Sequence, residues 1–542
     1  MLHDLSFDFK DAIFDFNGLK FGIQLFTFEN AYGLDKSKCT SNMDGKSFHV
    51  KSSTLTWGGA QEYVNGYITV KAYSGVKKTI FKIDAKAPKT IRSVKLLLKE
   101  MQDGKIINLI DKSEKEIPSQ NLILRYPEGW RSLATPLLIM RTDEGKLIYF
   151  RSLDNKIRDK KFAFFRRGHT LDVELIFEEI ATDMGVTVSV PEWEVGECDS
   201  IEEIYKIHTK HVEKSYGLVK WEERSDVPGW AREISLIAAI HCQHWTGHIF
   251  NDYQKVLDTI KWLAEKIEPK RILAYLPGWE GRYYWKYGNY CPDDRMGGEK
   301  GFIKLVQGAN DLGVHVMPMF GINIVNRGLE NYEEWGAPSE FRSPSGNCFD
   351  GSVDWDGSRH YDHGSGANLN PAAPKWQNRL VTQITDLIDR YGFDAVFLDI
   401  AAVWVNDPIY YLYDGILKLT KRIREGRPDV LISGEAWYDG LGAAMPLFQS
   451  GHTDGVIHWH DDAYPEIFDK YNRSFGHLCL GDPGRGSTGV HELGYNPIQR
   501  TPVRKGILPT VTLVNDSIEK APEAVINIIN DAKKYADLYL RK

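Results

Sequence analysis

Apolar and polar positions alternate along the first third of the chain. FGIQLFTFEN, FHVKSSTLTW, GYITVKAYS, TIFKIDAK, SVKLLLKEM, KLIYFRSL and HTLDVELIFEEIA are short, rich in β-branched and aromatic residues, and mostly of period two. Turn pairs such as Asp103-Gly104 and Glu144-Gly145 separate some of them. Regular strand spacing without long helical patterns predicts an antiparallel β-sandwich over residues 1–195, ending near VSVPEWEVGECDS. No acid–base cluster occurs in this half, so its expected role is structural or substrate-framing.

The period changes at SIEEIYKIHTKHVEKSYGL, which has helical spacing. Ser200 is the expected N-cap and Glu203 completes a capping box. Buried strand-like runs then alternate with helical stretches such as DYQKVLDTIKWLAEKI and WQNRLVTQITDLIDRYG. The runs are REISLIAAIHCQHW, RILAYLPGW, VHVMPMFGINIV, FDAVFLDIAAVW, VLISGEAW, GVIHWH and GILPTVTLV, and one further strand is placed around FGHLCLGDPG. This alternation over residues 196–542 predicts an α/β architecture, a (β/α)8 TIM barrel following the sandwich. No GxGxxG follows the first run and no GxxxxGK[ST] occurs, which argues against a nucleotide-binding fold.

Barrel chemistry gathers at the C-terminal ends of the strands. The first exit offers His241, Gln243, His244 and Trp245; the second offers Trp279 and Glu280, then Tyr284. The third carries Asn323, the fourth Asp399 and Trp404, the fifth Glu435 and Trp437. The sixth carries His458, His460 and Asp461, and the seventh Asp482 and Arg485. Aromatics beside polar groups at nearly every exit suit a carbohydrate, whose faces stack on rings and whose hydroxyls take directional hydrogen bonds. Trp245, Trp279, Tyr284, Trp404 and Trp437 are the stacking candidates. His244, Asn323, His458, His460, Asp461, Asp482 and Arg485 are the polar ones.

Two acids stand apart. VFLDI puts Asp399 at the end of an apolar run, and VLISGEAW puts Glu435 at the end of the next. One strand–helix–strand unit separates them, so their strands are expected to be neighbours. Carboxyl groups about 5–5.5 Å apart across a glycosidic bond give retention of configuration through a covalent intermediate. Asp399 is the expected nucleophile and Glu435 the expected general acid/base, which needs a raised pKa to hold its proton.

GFDAVFLDIA, SGEAW and the LNPAAP stretch before them resemble the fourth- and fifth-strand signatures of retaining α-glycosidases in the broad α-amylase-like group. A sandwich followed by such a barrel resembles the catalytic modules of endo-α-N-acetylgalactosaminidases and their relatives. The resemblance implies an Asp nucleophile at Asp399, a Glu acid/base at Glu435 and an α-linked substrate. Phe397 stands where that group carries Arg, two places before the nucleophile. A third acid, often preceded by His, is implied near the seventh strand, with Asp482 and Asp461 the competing positions.

Composition narrows the partners. The net charge of −7 with mixed signs argues against nucleic acid. The six cysteines are scattered and read as reduced thiols. No stretch of 18 apolar residues exists, so no membrane span is expected. MLHDLSFDFKDAIFDF lacks a basic region followed by an apolar one, so a cytoplasmic location is expected. DGSVDWDGSRHYDHG has oxygen ligands that suit Ca²⁺ but lacks EF-hand spacing. It reads instead as an insert that shapes the site, and no metal or other cofactor is expected. The alternatives are a non-catalytic carbohydrate-binding protein on a barrel scaffold, or a metallohydrolase built on His241, His244, His458 and His460. An oligosaccharide or glycoside is the expected partner.

Overall fold

The structure is a computed structural model. It describes residues 12–57, 62–110, 112–128, 132–244, 246–281, 285–348, 366–452, 466–477, 479–485, 490, 492, 494–496 and 503–540. The fold is mixed α/β, with two large antiparallel sheets and one curled parallel sheet. The chain divides into two compact units. One comprises Met1–Gly217, Pro344–Gly346 and Asn406–Tyr411; the other Leu218–Ser343, Asn347–Val405 and Leu412–Lys542.

In the first unit, one antiparallel sheet contains Leu19–Thr27, Ile91–Gln102, Thr170–Glu178 and Lys160–Arg167 as successive neighbours. The other runs from Glu114–Glu116 at one edge to Cys39–Asp44 at the other. Rings from one sheet meet rings from the other. Phe21 contacts Phe81 at 5.1 Å and Phe162 contacts Trp193 at 5.5 Å, both edge-on. Such pairs add about 0.5–1.5 kcal/mol beyond the area they bury.

Helix α1 (Ile201–Tyr216) opens at Ser200, whose Oγ accepts from Glu203 N at 3.2 Å. Glu203 Oε2 in turn accepts from Asp199 N at 3.1 Å, one residue ahead of the cap. The sequence places this helix in the second domain, but it falls within the first unit. Its apolar stripe and two buried polar contacts hold it there: Tyr205 Oη donates to Leu109 O, and His208 Nε2 bonds Thr135 Oγ1 at 2.7 Å.

The parallel sheet of the second unit is built from β1 (Leu236–Ile240), β2 (Ile272–Leu276), β3 (His315–Gly321), β4 (Ala395–Asp399), β5 (Leu431–Glu435), β6 (Leu447–His452), β7 (Arg473–His477) and β8 (Thr510–Leu513). Neighbours pair in that order, and β8 returns to β1. Ile507–Leu508 pairs with β7, so the two edges of the sheet meet within residues 507–513. Tyr275 of β2, Phe397 of β4 and Phe475 of β7 touch one another inside this curl, with centroids 4.4–6.2 Å apart. Phe397 is therefore a floor residue beneath the β4 exit.

Helices connect the strands. α2 (Tyr253–Ala264) is capped by Asp252, and α3 (Gly298–Leu312) ends at Gly313. α4 (Pro374–Tyr391) buries Trp376, Leu380, Ile384, Leu387, Ile388 and Tyr391, the spacing of a single helical face, and stops at left-handed Gly392. α5 (Leu412–Arg424) and α6 (Pro522–Tyr539) follow the same pattern. No described helix is long and apolar enough to cross a membrane.

One strand was not visible to periodicity. GVIHWH lies outside the described residues, and the strand after β5 is Leu447–His452, LFQSGH. Its polar Gln449 and Ser450 are buried, and Ser450 Oγ bonds Ser474 Oγ of β7. A strand that satisfies polar side chains against its neighbour shows no continuous apolar run.

A buried ion cluster anchors the first unit. Asp154 accepts from Arg158 at 2.8 Å and 2.9 Å, and Lys160 Nζ lies 2.9 Å away. Burial alone would raise the Asp154 pKa, but Lys160 and Arg158 overcome it and draw it down to about 2. That stability is present above the unfolded value of about 3.9 and is lost as pH falls through the folded one. Asp154→Asn should cost about 3–5 kcal/mol at pH 7, since it strands two buried cations. Urea unfolding should show the gap to the parent narrowing by about 1 kcal/mol at pH 3.

Candidate active site

Parallel pairing of β4 with β5 sets Leu398 opposite Gly434, so Asp399 and Glu435 emerge side by side. The Glu435 side chain is close enough to hydrogen-bond the Asp399 carboxyl, which favours the charged form of Asp399. Tyr287 Oη donates to Asp399 Oδ2 at 2.7 Å, and Ile400 N donates to Glu435 Oε2 at 2.9 Å. Asp399 is 7% exposed, while Glu435 is half-buried. Burial raises the Asp399 pKa, and the hydrogen bonds from Glu435 and Tyr287 counter part of that rise.

The backbone is strained at both acids. Ile400 has φ +61° and Ala436 φ +57°, so the residue after each carboxylate is left-handed. A β-branched residue in this region is an outlier, and such positions cost about 1–3 kcal/mol each. The turns re-aim the chain at once. Ile400 N thereby reaches Glu435, Ala402 N donates to Glu435 O, and Ala436 N donates to Gln449 O.

Neighbouring exits close around the pair. Asn323 Nδ2 donates to Ile400 O at 3.0 Å. A Cβ on Gly321, at the end of β3, would lie 2.1 Å from the Tyr287 ring, so only glycine lets that ring lie across the strand and reach Asp399. His244 is buried, its Nδ1 2.9 Å from Thr246 Oγ1 and its ring edge-on to Phe250.

The aromatic candidates divide. Trp404 is half-buried on the loop after Asp399. Trp279 is fully buried, stacked on Phe302 at 4.8 Å, and its Nε1 donates to Met319 O at 2.9 Å. Trp437 is buried edge-on to Phe468 at 4.7 Å. Neither of these two presents a ring face to solvent, because each fills the interior behind its own strand exit. Trp245, Tyr284, His458, His460 and Asp461 lie outside the described residues, as does the 350–364 insert. Among the described residues no group of three or more His, Cys, Asp or Glu could hold a metal ion.

At the seventh exit Asp482 is exposed, its Oδ1 accepting from Gly484 N in a local turn. Arg485 is committed to Glu492 at 2.7 Å and Asp516 at 3.1 Å. The buried acid here is Glu492, 7% exposed. The sequence signal for it is VHELG, an acid directly after His. One further residue escaped the pattern of strand ends, Tyr287, which reaches Asp399 from a loop; Gln243 and Glu280, which stand at the first and second strand ends, were given no role by it and are both buried. Glu280 is fully buried, and no group of another described residue hydrogen-bonds to either of its oxygens. Burial pushes its pKa well above the carboxylate range, and the Asp399 and Asp293 charges push it further.

A family model described as a domain of unknown function (DUF6259) matches residues 193–411. No curated protein matches the sequence. Solved structures share the fold. The ligand-free alpha-N-acetylgalactosaminidase NagBb from Bifidobacterium bifidum superposes with TM-score 0.66 at 12% identity, over 97% of this chain and 90% of that one. Its GalNAc complex gives 0.64 at 13%, over 96% and 90%. The GH36 alpha-galactosidase AgaA from Geobacillus stearothermophilus gives 0.51 at 11%, over 96% and 75%.

The raised Asp399 pKa has a consequence for stability. The folded value lies above the unfolded one, so stability falls as pH rises past about 3.9. Asp399→Asn should therefore melt about 2 °C or more above the parent at pH 8, with a smaller difference at pH 5, by differential scanning calorimetry.

Proposed function

We propose that this protein is a glycoside hydrolase that cleaves an α-linked sugar with retention of configuration. The observation that carries this reading is the Asp399–Glu435 pair: two carboxyls on adjacent parallel strands, hydrogen-bonded to each other and flanked by strained backbone. The shared fold with an alpha-N-acetylgalactosaminidase and an alpha-galactosidase supports it. So does the meeting of the sheet's edges at residues 507–513, which we take as closure of an eight-stranded (β/α)8 barrel. The two antiparallel sheets are then a sandwich domain.

Asp399 attacks the anomeric carbon while the bond to the leaving oxygen breaks and Glu435 gives that oxygen its proton. Glu435 next takes a proton from water, whose oxygen displaces Asp399 and releases the sugar. Tyr287 holds one Asp399 oxygen, leaving the other to attack. The bond between the carboxyls holds a proton on the pair before substrate arrives. A glycosidic oxygen entering between them breaks that bond and parts them to the roughly 5–5.5 Å that retention requires. Glu435 has the longer arm and is the more exposed, so it is the one that swings. Trp404 is the stacking ring nearest in sequence to Asp399. The reaction needs no cofactor.

A panel of aryl α- and β-glycosides tests the reading. The wild type should turn over an α-glycoside, and NMR should show the α-product first. Asp399→Asn should lose about 10³-fold or more in kcat. Glu435→Gln should lose about 10²–10⁴-fold on poor leaving groups and far less on activated aryl ones, which need no proton. Binding without turnover across the panel would favour a carbohydrate-binding protein.

A further inference from the structure

Three consecutive strand exits each bury a polar atom that no other described residue satisfies. Gln243, after β1, is fully buried; its Oε1 accepts from Arg295 at 2.7 Å, but its Nε2 has no partner. Glu280, after β2, has neither oxygen bonded to another described residue. Asn323, after β3, gives its Nδ2 to Ile400 O and leaves Oδ1 unbonded. Each orphaned group costs about 1–3 kcal/mol in a folded protein. Three in a row, beside the strand that carries Asp399, call for a common partner.

The local backbone is built to keep Glu280 there. Gly278–Gly281 is a turn closed by Gly281 N donating to Gly278 O at 3.3 Å. Both glycines have positive φ, +69° and +113°. A Cβ on Gly278 would lie 2.1 Å from Gln243 O, and one on Gly281 would lie 2.4 Å from Asp293 Oδ2. Those two approaches seat the Glu280 turn against both the Gln243 backbone and the Asp293 side chain. On the other side, Asn323 is tied to the residue after Asp399.

Resting on the glycosidase reading, we propose that Gln243, Glu280 and Asn323 form a hydroxyl-gripping patch that selects an uncharged sugar ring beside the Asp399–Glu435 pair. Its chemistry matches hydroxyl groups, each of which gives one hydrogen bond and accepts others. Gln243 offers a donor and Asn323 an acceptor. Glu280, kept neutral by burial, offers both. A uronate would set its charge against the Asn323 oxygen and two buried acids. A free ammonium would be held only by ionising Glu280 in a dry site, at high cost.

The test uses the full chain with Asp399→Asn, which stops turnover. Calorimetry measures binding of methyl α-D-galactoside, methyl N-acetyl-α-D-galactosaminide, their monodeoxy analogues and the matching galacturonide. Glu280→Met fills the same volume without hydrogen bonds, and its fold should hold because a buried orphan is removed. It should weaken the better parent sugar by about 10-fold or more, yet leave one monodeoxy analogue unchanged. Glu280→Gln, which keeps a donor and an acceptor, should bind like the background, and the galacturonide should bind far more weakly than its parent. Gln243→Met should single out its own deoxy analogue, and it carries the test if Glu280→Met unfolds. Equal loss across all analogues, no loss, or equal loss in Glu280→Gln would overturn the proposal while leaving the glycosidase reading intact. Selective binding by a wild type that turns over no glycoside would sink that reading and keep the patch. Failure of the folded background to bind any of the sugars would overturn both.

Discussion

The pairing of β4 with β5 is the constraint on which the site depends. Parallel register at Leu398 and Gly434 leaves the next residue of each strand as an acid, Asp399 buried and Glu435 half-buried. Two neighbouring carboxylates repel each other when both are charged, and burial of Asp399 adds to that cost. The surroundings divide the roles. Asp399 receives the Tyr287 hydroxyl and is buried, whereas Glu435 receives the Ile400 amide and is more exposed.

Holding this arrangement takes backbone strain. Ile400 and Ala436 stand in a region that L residues avoid, and both immediately follow the acids. The surrounding hydrogen bonds over-determine them: Asn323 on Ile400 O, Glu435 on Ile400 N and Gln449 O on Ala436 N. Beneath them Tyr275, Phe397 and Phe475 form a rigid aromatic floor. That floor explains why an apolar ring occupies the place two residues before Asp399: Phe397 faces the inside of the curl, where a cation would need a buried partner.

Strand ends were legible because buried parallel strands read as apolar runs, and an acid at the end of such a run stands out. AVFLD and LISGE both read this way, and their adjacency followed from one intervening helix. LFQSGH did not, since it buries Gln449 and Ser450, the latter bonded to Ser474 of β7. Trp279 and Trp437 were misleading for a related reason. A Trp next to a strand exit looks the same in sequence whether its ring faces a cleft or fills the layer behind it, and here both rings are interior. Asp482 drew attention as an acid in a glycine-rich turn, while the acid that folding buries at that exit is Glu492.

The sequence by itself determined the two periodicities, the split between antiparallel and parallel sheets, and the presence of an acid at two successive strand ends. These are local properties, set by which residues can be buried on one face or on both. Tertiary structure alone decided that Tyr287 reaches Asp399 across Gly321, that α1 packs with the first unit, and that Glu280 is buried without a partner among the described residues. Those outcomes depend on which loops and strands meet after the sheet curls. Side chains distant in the chain become neighbours only then, and no local pattern of apolar and polar residues encodes the meeting.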